Sequence, residues 1–158
     1  MAVRFYKGDL IEDANVDIVC HQTNCRGVMG AGIAKQIRDT WPRVFGQYKL
    51  FCTRARTEGS PLLGACQLVY TDEEKSRIVA NLFGQEFYGR GKQQTDYETL
   101  RKTLHTLATN GFVLQNKFSI GFPYRIGRAL GGGSWEVVLP MMEEEFKDYP
   151  GKVEIWGL

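Results

Sequence analysis

The residues best suited to chemistry lie in a glycine-rich stretch that follows the second strand signal. This first glycine loop (residues 24–33) contains Gly27, Gly30 and Gly32 and runs into a helical pattern. A strand that ends in such a loop and opens a helix offers backbone N–H groups and a helix dipole to an anion. A second glycine loop (residues 126–134) follows another strand signal near the C-terminus. Two such loops indicate a ligand with two phosphates, or with a phosphate flanked by sugars.

Two side chains beside the first glycine loop could take part in a reaction. His21 lies at the end of the strand signal, and an imidazole with its usual pKa of ~6.5 can transfer a proton at neutral pH. A histidine packed in the strand, with one nitrogen hydrogen-bonded, is an equal alternative. The Asn24 amide can donate and accept at once. Its alternative role is an Asx turn that only shapes the loop.

Neither glycine loop matches a standard nucleotide-binding motif. Both lack Gly-x-x-x-x-Gly-Lys-Ser/Thr, which excludes a P-loop nucleoside triphosphatase. The glycines of the first loop have the Gly-x-Gly-x-x-Gly spacing reversed, which argues against a Rossmann dinucleotide site. Taken alone, each loop could equally be a helix-capping turn.

The order of strand and helix signals predicts the elements that position these loops. The strand signals are Val3–Tyr6, Asp17–Gln22, Ala65–Tyr70, Arg77–Phe83, Phe118–Phe122 and Val153–Trp156. The helical patterns are Gly30–Asp39, Arg43–Thr57, Thr95–Asn110 and Ser134–Tyr149. Alternation of this kind predicts an α/β fold, a three-layer α/β/α sandwich with a mixed, mostly parallel central sheet. Ligands bind such sheets at the carboxyl ends of the strands, where both glycine loops and a third loop at 84–94 would lie.

Two helix starts carry capping signals. Glu98 follows Thr95 by three residues, which predicts a capping box at the start of the third helix. Ser134 precedes the fourth helical pattern, and we predict that it is the N-cap.

Composition is typical of a soluble globular protein. The chain has 158 residues, 43% of them hydrophobic and 24% charged, so we expect one domain over 1–158. A net charge of +2, from 20 basic and 18 acidic residues, is too balanced to indicate nucleic-acid binding by bulk electrostatics. Any anion must therefore be recognised locally. We find no membrane-spanning run and no signal peptide, so we expect no membrane partner and a cytoplasmic location, or a nuclear one in a eukaryote.

The four cysteines, Cys20, Cys25, Cys52 and Cys66, show no Cys-x-x-Cys spacing. We expect buried thiols rather than a disulfide framework, because a chain of this size can form its own core. The chain has two histidines, and His105 lies far along the sequence from His21. We therefore expect neither a metal site nor a cofactor.

Three short motifs resemble the macrodomain family. They are Gly8-Asp9-Leu10-Ile11 after the first strand, Asn24 with 27–34 after the second, and Pro123-x-x-Ile126-Gly127 before the second glycine loop. They follow the family's order from Lys7 to the last strand. The aspartate motif, the aromatic last strand and Tyr97-Glu98 look most similar to one branch of the family. That branch contains terminal ADP-ribose protein glycohydrolase and the yeast ADP-ribose-1″-phosphate phosphatase.

The resemblance implies that ADP-ribose binds across the carboxyl edge of the sheet. Asp9 would accept a hydrogen bond from the adenine amino group, unless it is only a turn or N-cap residue. Asn24 would touch the hydroxyls of the distal ribose, and His21 matches a histidine of the yeast phosphatase. Leu10, Ile11 and Leu158 would border the adenine. The distal ribose and one phosphate would contact Gly27, Val28, Met29, Gly30, Gly32 and Ile33. The diphosphate would contact Ile126, Gly127, Ala129, Leu130, Gly131, Gly132, Gly133 and Ser134.

The chain departs from the glycohydrolase pattern at two positions. The attacking lysine of that branch falls near Gly84 or Gln85, and its aspartate falls on Gly131. We therefore do not expect a covalent lysine mechanism.

Three functions remain for this chain, and we favour the first, with His21 and Asn24 as the catalytic residues. It is a hydrolase that removes a group from the distal ribose of ADP-ribose: the 1″-phosphate, or an ADP-ribosyl ester on a protein or nucleic acid. The second is a non-catalytic ADP-ribose reader. The third is a binder of another nucleotide or an RNA end, with Arg26, Arg125 and Arg128 on the phosphates.

Overall fold

The computed structural model describes residues 3–30, 32–87, 96–124, 126 and 134–157. The strands within these residues are β1 (Val3–Tyr6), β2 (Ile18–Gln22), β3 (Cys66–Tyr70), β4 (Ile78–Leu82), β5 (Ile120–Pro123) and β6 (Val153–Trp156). The helices are α1 (Gly32–Thr40), α2 (Pro42–Glu58), α3 (Tyr97–Thr109), α4 (Gly111–Asn116) and α5 (Trp135–Glu145). No helix in this part of the chain is long and apolar enough to cross a bilayer.

The six strands form one sheet in the order β1-β6-β5-β2-β4-β3. Every pairing is parallel except that of β3 with β4, which confirms the predicted mixed, mostly parallel sheet. The carboxyl ends of the five parallel strands therefore share one edge. The segments that follow β1, β2, β4, β5 and β6 lie along this edge.

Helices cover both faces of the sheet. Successive side chains of β2 point to opposite faces. Ile18 and Cys20 pack in the cluster that contains residues of α3, α4 and α5, and Val19 packs with residues of α1 and α2. All five residues of β4 are buried, as expected for a strand between two helical layers. The three-layer α/β/α prediction is confirmed.

The capping box predicted at Thr95 is wrong. Asp96 is the N-cap of α3, and its carboxylate accepts the Thr99 N–H at 3.1 Å, while Thr95 lies outside the described residues. Aspartate is a stronger N-cap than threonine, so the helix begins one residue later. Glu98 then falls in the first turn of the helix, where its charge favours the dipole.

The structure also differs from the prediction in one additional helix and in the end of another. Asn110 ends α3 as predicted, but its side chain also accepts the Val113 N–H at 3.0 Å and so caps the unpredicted helix α4. Helix α5 ends at Glu145 rather than Tyr149. Tyr149 instead turns inwards, and its hydroxyl donates to the Phe118 carbonyl at 2.6 Å.

Candidate functional site

Asn24 shapes the first glycine loop. Its Nδ2 donates to the Val28 carbonyl at 2.8 Å, and its Oδ1 accepts the Arg26 N–H at 2.9 Å. The residue is 7% exposed. This geometry is the Asx-turn alternative. The side-chain oxygen is already engaged, so the amide can offer a ligand only the second N–H of Nδ2.

Tyr48 of α2 ties this loop to the helix. The ring is fully buried, and its hydroxyl lies 2.8 Å from both the carbonyl and the Oδ1 of Asn24. Burial raises the pKa of Tyr48 far above its usual value, against hydrogen bonds from the Gly27 and Val28 N–H groups. The hydroxyl therefore stays protonated and holds the loop through several backbone groups.

The glycines of the loop divide into two kinds. Gly27 and Gly32 have φ values of 78° and 58°, the left-handed region that only glycine adopts without strain. Gly30 is exposed and has no positive φ, and no described residue accepts its N–H. That donor is available to an anion beside the start of α1.

Of the three bulky residues of this loop that are predicted to touch the ligand, Val28 is half-buried, and Met29 and Ile33 pack against the core. Met29 is 1% exposed and lies in the cluster of Tyr48 and Phe83. Ile33 is half-buried against the cluster that contains Leu10. Neither is a freely exposed wall of the site.

His21 is fully buried in the sheet. Its Nε2 lies 2.5 Å from Oδ1 of Asn81 on β4. Burial lowers the pKa of His21 to about 4, although the hydrogen bond to Asn81 acts to raise it. The ring is therefore neutral at pH 7, which favours the packed-histidine alternative over proton transfer. Among the described residues, Nδ1 has no hydrogen-bond partner.

A row of polar side chains continues from His21 across the sheet to α2. Asn81 Nδ2 donates to Gln67 Oε1 at 3.1 Å, and Gln67 Nε2 donates to the Gln47 carbonyl at 3.2 Å. The row ends at the Gln47 carbonyl, which can only accept a hydrogen bond. The direction of each bond from Gln47 back to His21 is therefore fixed. The Nε2 of His21 must then carry the proton.

Asp9 shapes the turn after β1. Its Oδ1 accepts the N–H groups of Ile11 and Glu12, both at 2.9 Å, and Gln36 Nε2 lies 3.0 Å from each carboxylate oxygen. Partial burial acts to raise the pKa of Asp9, but hydrogen bonds from Glu12, Gln36 and Ile11 hold it below its usual value. The carboxylate is ionised, and among the described residues only Gln36 donates to Oδ2.

An aromatic pair lies beside this turn. Trp156 stacks on Tyr6 with ring centroids 4.9 Å apart, and its ring lies 3.3 Å from the position of a Cβ on Gly8. Leu10 and Ile11 are 4% and 6% exposed and belong to the core. The aromatic pair, rather than these two aliphatic residues, therefore offers the larger surface next to Asp9. Leu158 lies outside the described residues.

Most of the predicted diphosphate loop lies outside the described residues: Gly127, Ala129, Leu130, Gly131, Gly132 and Gly133, together with Arg125 and Arg128. Ile126 is 3% exposed and packs in the core. Ser134 is the N-cap of α5, but its hydroxyl makes no capping bond and donates to Glu136 at 2.8 Å. Its N–H donates to the Tyr97 hydroxyl at 2.7 Å, so both donors of Ser134 have partners within the protein, and its phosphate contact stays a prediction.

Several residues that build the site were not predicted: Gln36, Tyr48, Asn81 and Gln85. The first three are described above. Gln85 accepts from Gln22 Nε2 at 2.5 Å and donates to the Phe87 carbonyl at 2.6 Å. In the sequence, Asn81 interrupts an apolar run, which marks it as a buried polar residue, whereas Gln36 follows Lys35 in an amphipathic pattern and carries no such signal. Tyr48 gave no such signal, because its ring alone satisfies the helical pattern.

The thiols are buried, as expected from the sequence, except that Cys66 is half-buried. Burial raises the pKa of Cys25 and of Cys66 to about 12, so both are protonated at neutral pH. Within the described ranges, no three histidine, cysteine or carboxylate side chains are grouped to hold a metal ion.

Comparisons of the sequence and of the structure with known proteins point to the same family. The Macro domain family model matches residues 20–142. An ADP-ribose 1″-phosphate phosphatase from Meyerozyma guilliermondii is 29% identical over 104 residues, which are 60% of this chain and 59% of the relative. The chain thus spans less than two thirds of that relative's length.

Two solved structures share the fold over nearly the whole chain. The macrodomain of Thermus aquaticus DarG has a TM-score of 0.79 and 25% identity, and the match covers 99% of this chain and 97% of that one. Thermosipho africanus DarTG, solved in complex with ADP-ribose, has a TM-score of 0.78 over 98% of this chain and 42% of that one. Its 18% identity shows the fold alone.

Proposed function

Because the chain belongs to the macro domain family, we propose that it binds ADP-ribose at the carboxyl edge of the sheet and hydrolyses a bond at the distal ribose. One observation carries the binding proposal. Gln36, one turn into α1, joins the ionised Asp9 carboxylate to the helix that begins in the first glycine loop. Helix α1 therefore connects the negatively charged acceptor, Asp9, with the first glycine loop, whose backbone N–H groups can bind an anion.

Each end of ADP-ribose has a proposed partner in this arrangement. Asp9 Oδ2 accepts from the adenine amino group, since an ionised carboxylate can accept but not donate. The exposed Gly30 N–H and the start of α1 bind a phosphate. The second N–H of Asn24 Nδ2 donates to a hydroxyl of the distal ribose. The aromatic pair Tyr6 and Trp156 borders the adenine.

The proposed reaction follows from the name of the Meyerozyma guilliermondii relative. Water attacks the 1″-phosphorus, the bond from phosphorus to the ribose oxygen breaks, and ADP-ribose and inorganic phosphate are formed. N–H groups of the loop would stabilise the charge that develops. His21, buried and neutral, supports the loop through β2 rather than transferring the proton. An ADP-ribosyl ester on a protein or nucleic acid is the alternative substrate.

The ADP-ribose reader is the second candidate, and one observation favours it. His21 gives Nε2 to Asn81, and Asn24 gives its oxygen to the loop and Tyr48. Burial also lowers the pKa of His21 to about 4, so neither predicted catalytic side chain is an effective acid or base at pH 7.

Two assays separate these functions. The first measures phosphate release from ADP-ribose-1″-phosphate and ADP-ribose release from a glutamate-linked ADP-ribosyl protein. The second measures ADP-ribose binding by calorimetry. Turnover in either part of the first assay supports the hydrolase. Micromolar binding without turnover identifies a reader, and absent ADP-ribose binding refutes both and leaves the nucleotide or RNA-end binder.

A further inference from the structure

A groove of about 250 Å³ opens between the first glycine loop, the end of α2 and the segment that follows β4. We call it the α2-end groove. None of the residues assigned above to ADP-ribose lines it. Its walls are formed by Cys25, Arg26, Arg56, Ser60, Pro61, Leu62, Leu63 and Glu86.

Cations outnumber anions around this groove. Arg26 and Arg56 face one carboxylate, Glu86, whose Oε1 lies 3.0 Å from Arg26 Nη2. The two side chains of that ion pair are 40% and 44% exposed, so solvent screens it and a competing anion can reach Arg26.

An exposed aromatic ring stands next to these charges. Phe87 is 51% exposed, and the Arg26 guanidinium carbon lies 4.2 Å from its ring centroid. Single-stranded nucleic acids are bound by this combination of features, because bases stack on aromatic rings and guanidinium planes while phosphates bind arginine. An acidic peptide would pair with the arginines, but the combination of arginines with an exposed ring favours a nucleic acid.

The wider charge distribution is consistent with a polyanionic partner. Helices α1 and α2 together carry six basic and two acidic side chains, whereas α5 carries four glutamates and no basic residue. Although the net charge of the chain is only +2, the helical layer of α1 and α2, on the side of the groove, is basic. Such a layer attracts nucleic acid locally.

We propose that the α2-end groove binds a single strand of nucleic acid, with one phosphate between Arg26 and Arg56 and one base stacked on Phe87. This is a second site, and its occupation does not depend on the proposed function. The bound phosphate displaces Glu86 from Arg26.

The test measures the fluorescence anisotropy of a labelled oligonucleotide of about 12 nucleotides at several salt concentrations. Arg56→Gln should weaken binding about tenfold and make the log–log salt dependence shallower by about 0.7. Glu86→Gln should tighten binding. The matched control is Arg54→Gln, which removes the same charge from the same helix but roughly 160° around its axis. This control should reduce the affinity much less than Arg56→Gln does, because Arg54 contributes only to the general charge of the helix.

Two results would overturn the proposal. If Arg54→Gln and Arg56→Gln lose the same oligonucleotide affinity, the general charge of α2 explains the binding and the groove contributes nothing to it. A phosphorylated peptide that binds while the oligonucleotide does not would make the groove a protein site. Calorimetry with ADP-ribose keeps the two proposals apart, because Arg56→Gln should bind ADP-ribose as the wild type does. Failure of the wild type to bind ADP-ribose refutes the proposed function and leaves the groove untouched.

Discussion

The carboxylate of Asp9 can serve as a turn cap and as a ligand acceptor at the same time. Oδ1 receives the backbone N–H groups of Ile11 and Glu12, and Gln36 is the described donor to Oδ2. A change that removes the Oδ2 acceptor and keeps Oδ1 separates the two roles. Asparagine does this, because it is also an effective cap.

Asp9→Asn should therefore fold normally and bind ADP-ribose more weakly. Loss of one hydrogen bond to a charged group costs about 2 kcal/mol, or roughly thirtyfold in the dissociation constant. Calorimetry should compare ADP-ribose with its hypoxanthine analogue, which has a carbonyl in place of the amino group. Asp9→Asn should lower the affinity for ADP-ribose alone. An unchanged affinity for ADP-ribose would refute the adenine contact.

Tyr48→Phe should loosen the first glycine loop. The hydroxyl binds two oxygens of Asn24, and its loss should cost about 1 to 2 kcal/mol of unfolding free energy and also weaken ADP-ribose binding. The control is Tyr149→Phe, which removes a hydroxyl bonded to the Phe118 carbonyl in the other helical layer. Both variants should lose stability in urea unfolding, but only Tyr48→Phe should lose affinity. If Tyr48→Phe binds ADP-ribose as tightly as the wild type does, the Tyr48 hydroxyl does not contribute to ligand binding.

The site was only partly predictable from the sequence, for a reason visible in these same residues. Asp9 and Asn24 were found because each lies in a short motif that resembles the macrodomain family, and both residue types are also typical of turns. Their partners Gln36 and Tyr48 come from helices, and only the packing of α1 and α2 on the sheet brings them to the loops. For a similar reason, the sequence left proton transfer and packing in the strand as equal alternatives for His21. Its partner Asn81 lies 60 positions away, and no local pattern reports that pairing.

At the level of elements, the strands were easier to predict than the helix ends. Runs such as Ile18–Gln22 and Ile78–Leu82 are apolar because helices cover both faces of the central sheet. Helix α4 was missed because Asn110-Gly111 is a normal stop signal, and here the same asparagine starts the next helix. One residue that serves two helices cannot be recognised from a list of capping preferences.

This double use makes Asn110 a good test at the level of elements. Asn110→Ala should lower the free energy of unfolding by about 1 kcal/mol, because the Val113 N–H loses its acceptor. Asn110→Asp keeps an acceptor at the same place and should restore most of the loss. Thermal unfolding followed by circular dichroism measures both. If Asn110→Ala is as stable as the wild type, the cap contributes nothing to α4.

At the level of the whole molecule, His21 links stability to pH. Its folded-state pKa of about 4 lies below the usual 6.5, so the unfolded chain takes up the proton first as the pH falls. The stabilising contribution is complete above about pH 6.5 and is lost towards about pH 4. Between about pH 7 and pH 4.5 the unfolding free energy should fall by about 2 to 3 kcal/mol from this group.

Urea titrations at several pH values test this link. Relative to the wild type, His21→Gln should show a weaker pH dependence between about pH 4.5 and 6.5. His105→Gln, which removes the exposed histidine, should keep most of the wild-type dependence. Identical pH profiles for His21→Gln and the wild type would show that the buried ring does not titrate in this range.

The pairing of β1 with β6 has a consequence for synthesis on the ribosome. Val3 is in register with Val153, so β1 leaves the exit tunnel about 150 residues before its partner strand. At about 5–20 residues per second, β1 stays without this partner for roughly ten seconds or more while the segments between are made. The first glycine loop can meet α2 early, and Gln36 can hold the Asp9 carboxylate early, whereas Trp156 reaches this turn only when β6 arrives. The two halves of the candidate ligand site are thus completed at different times.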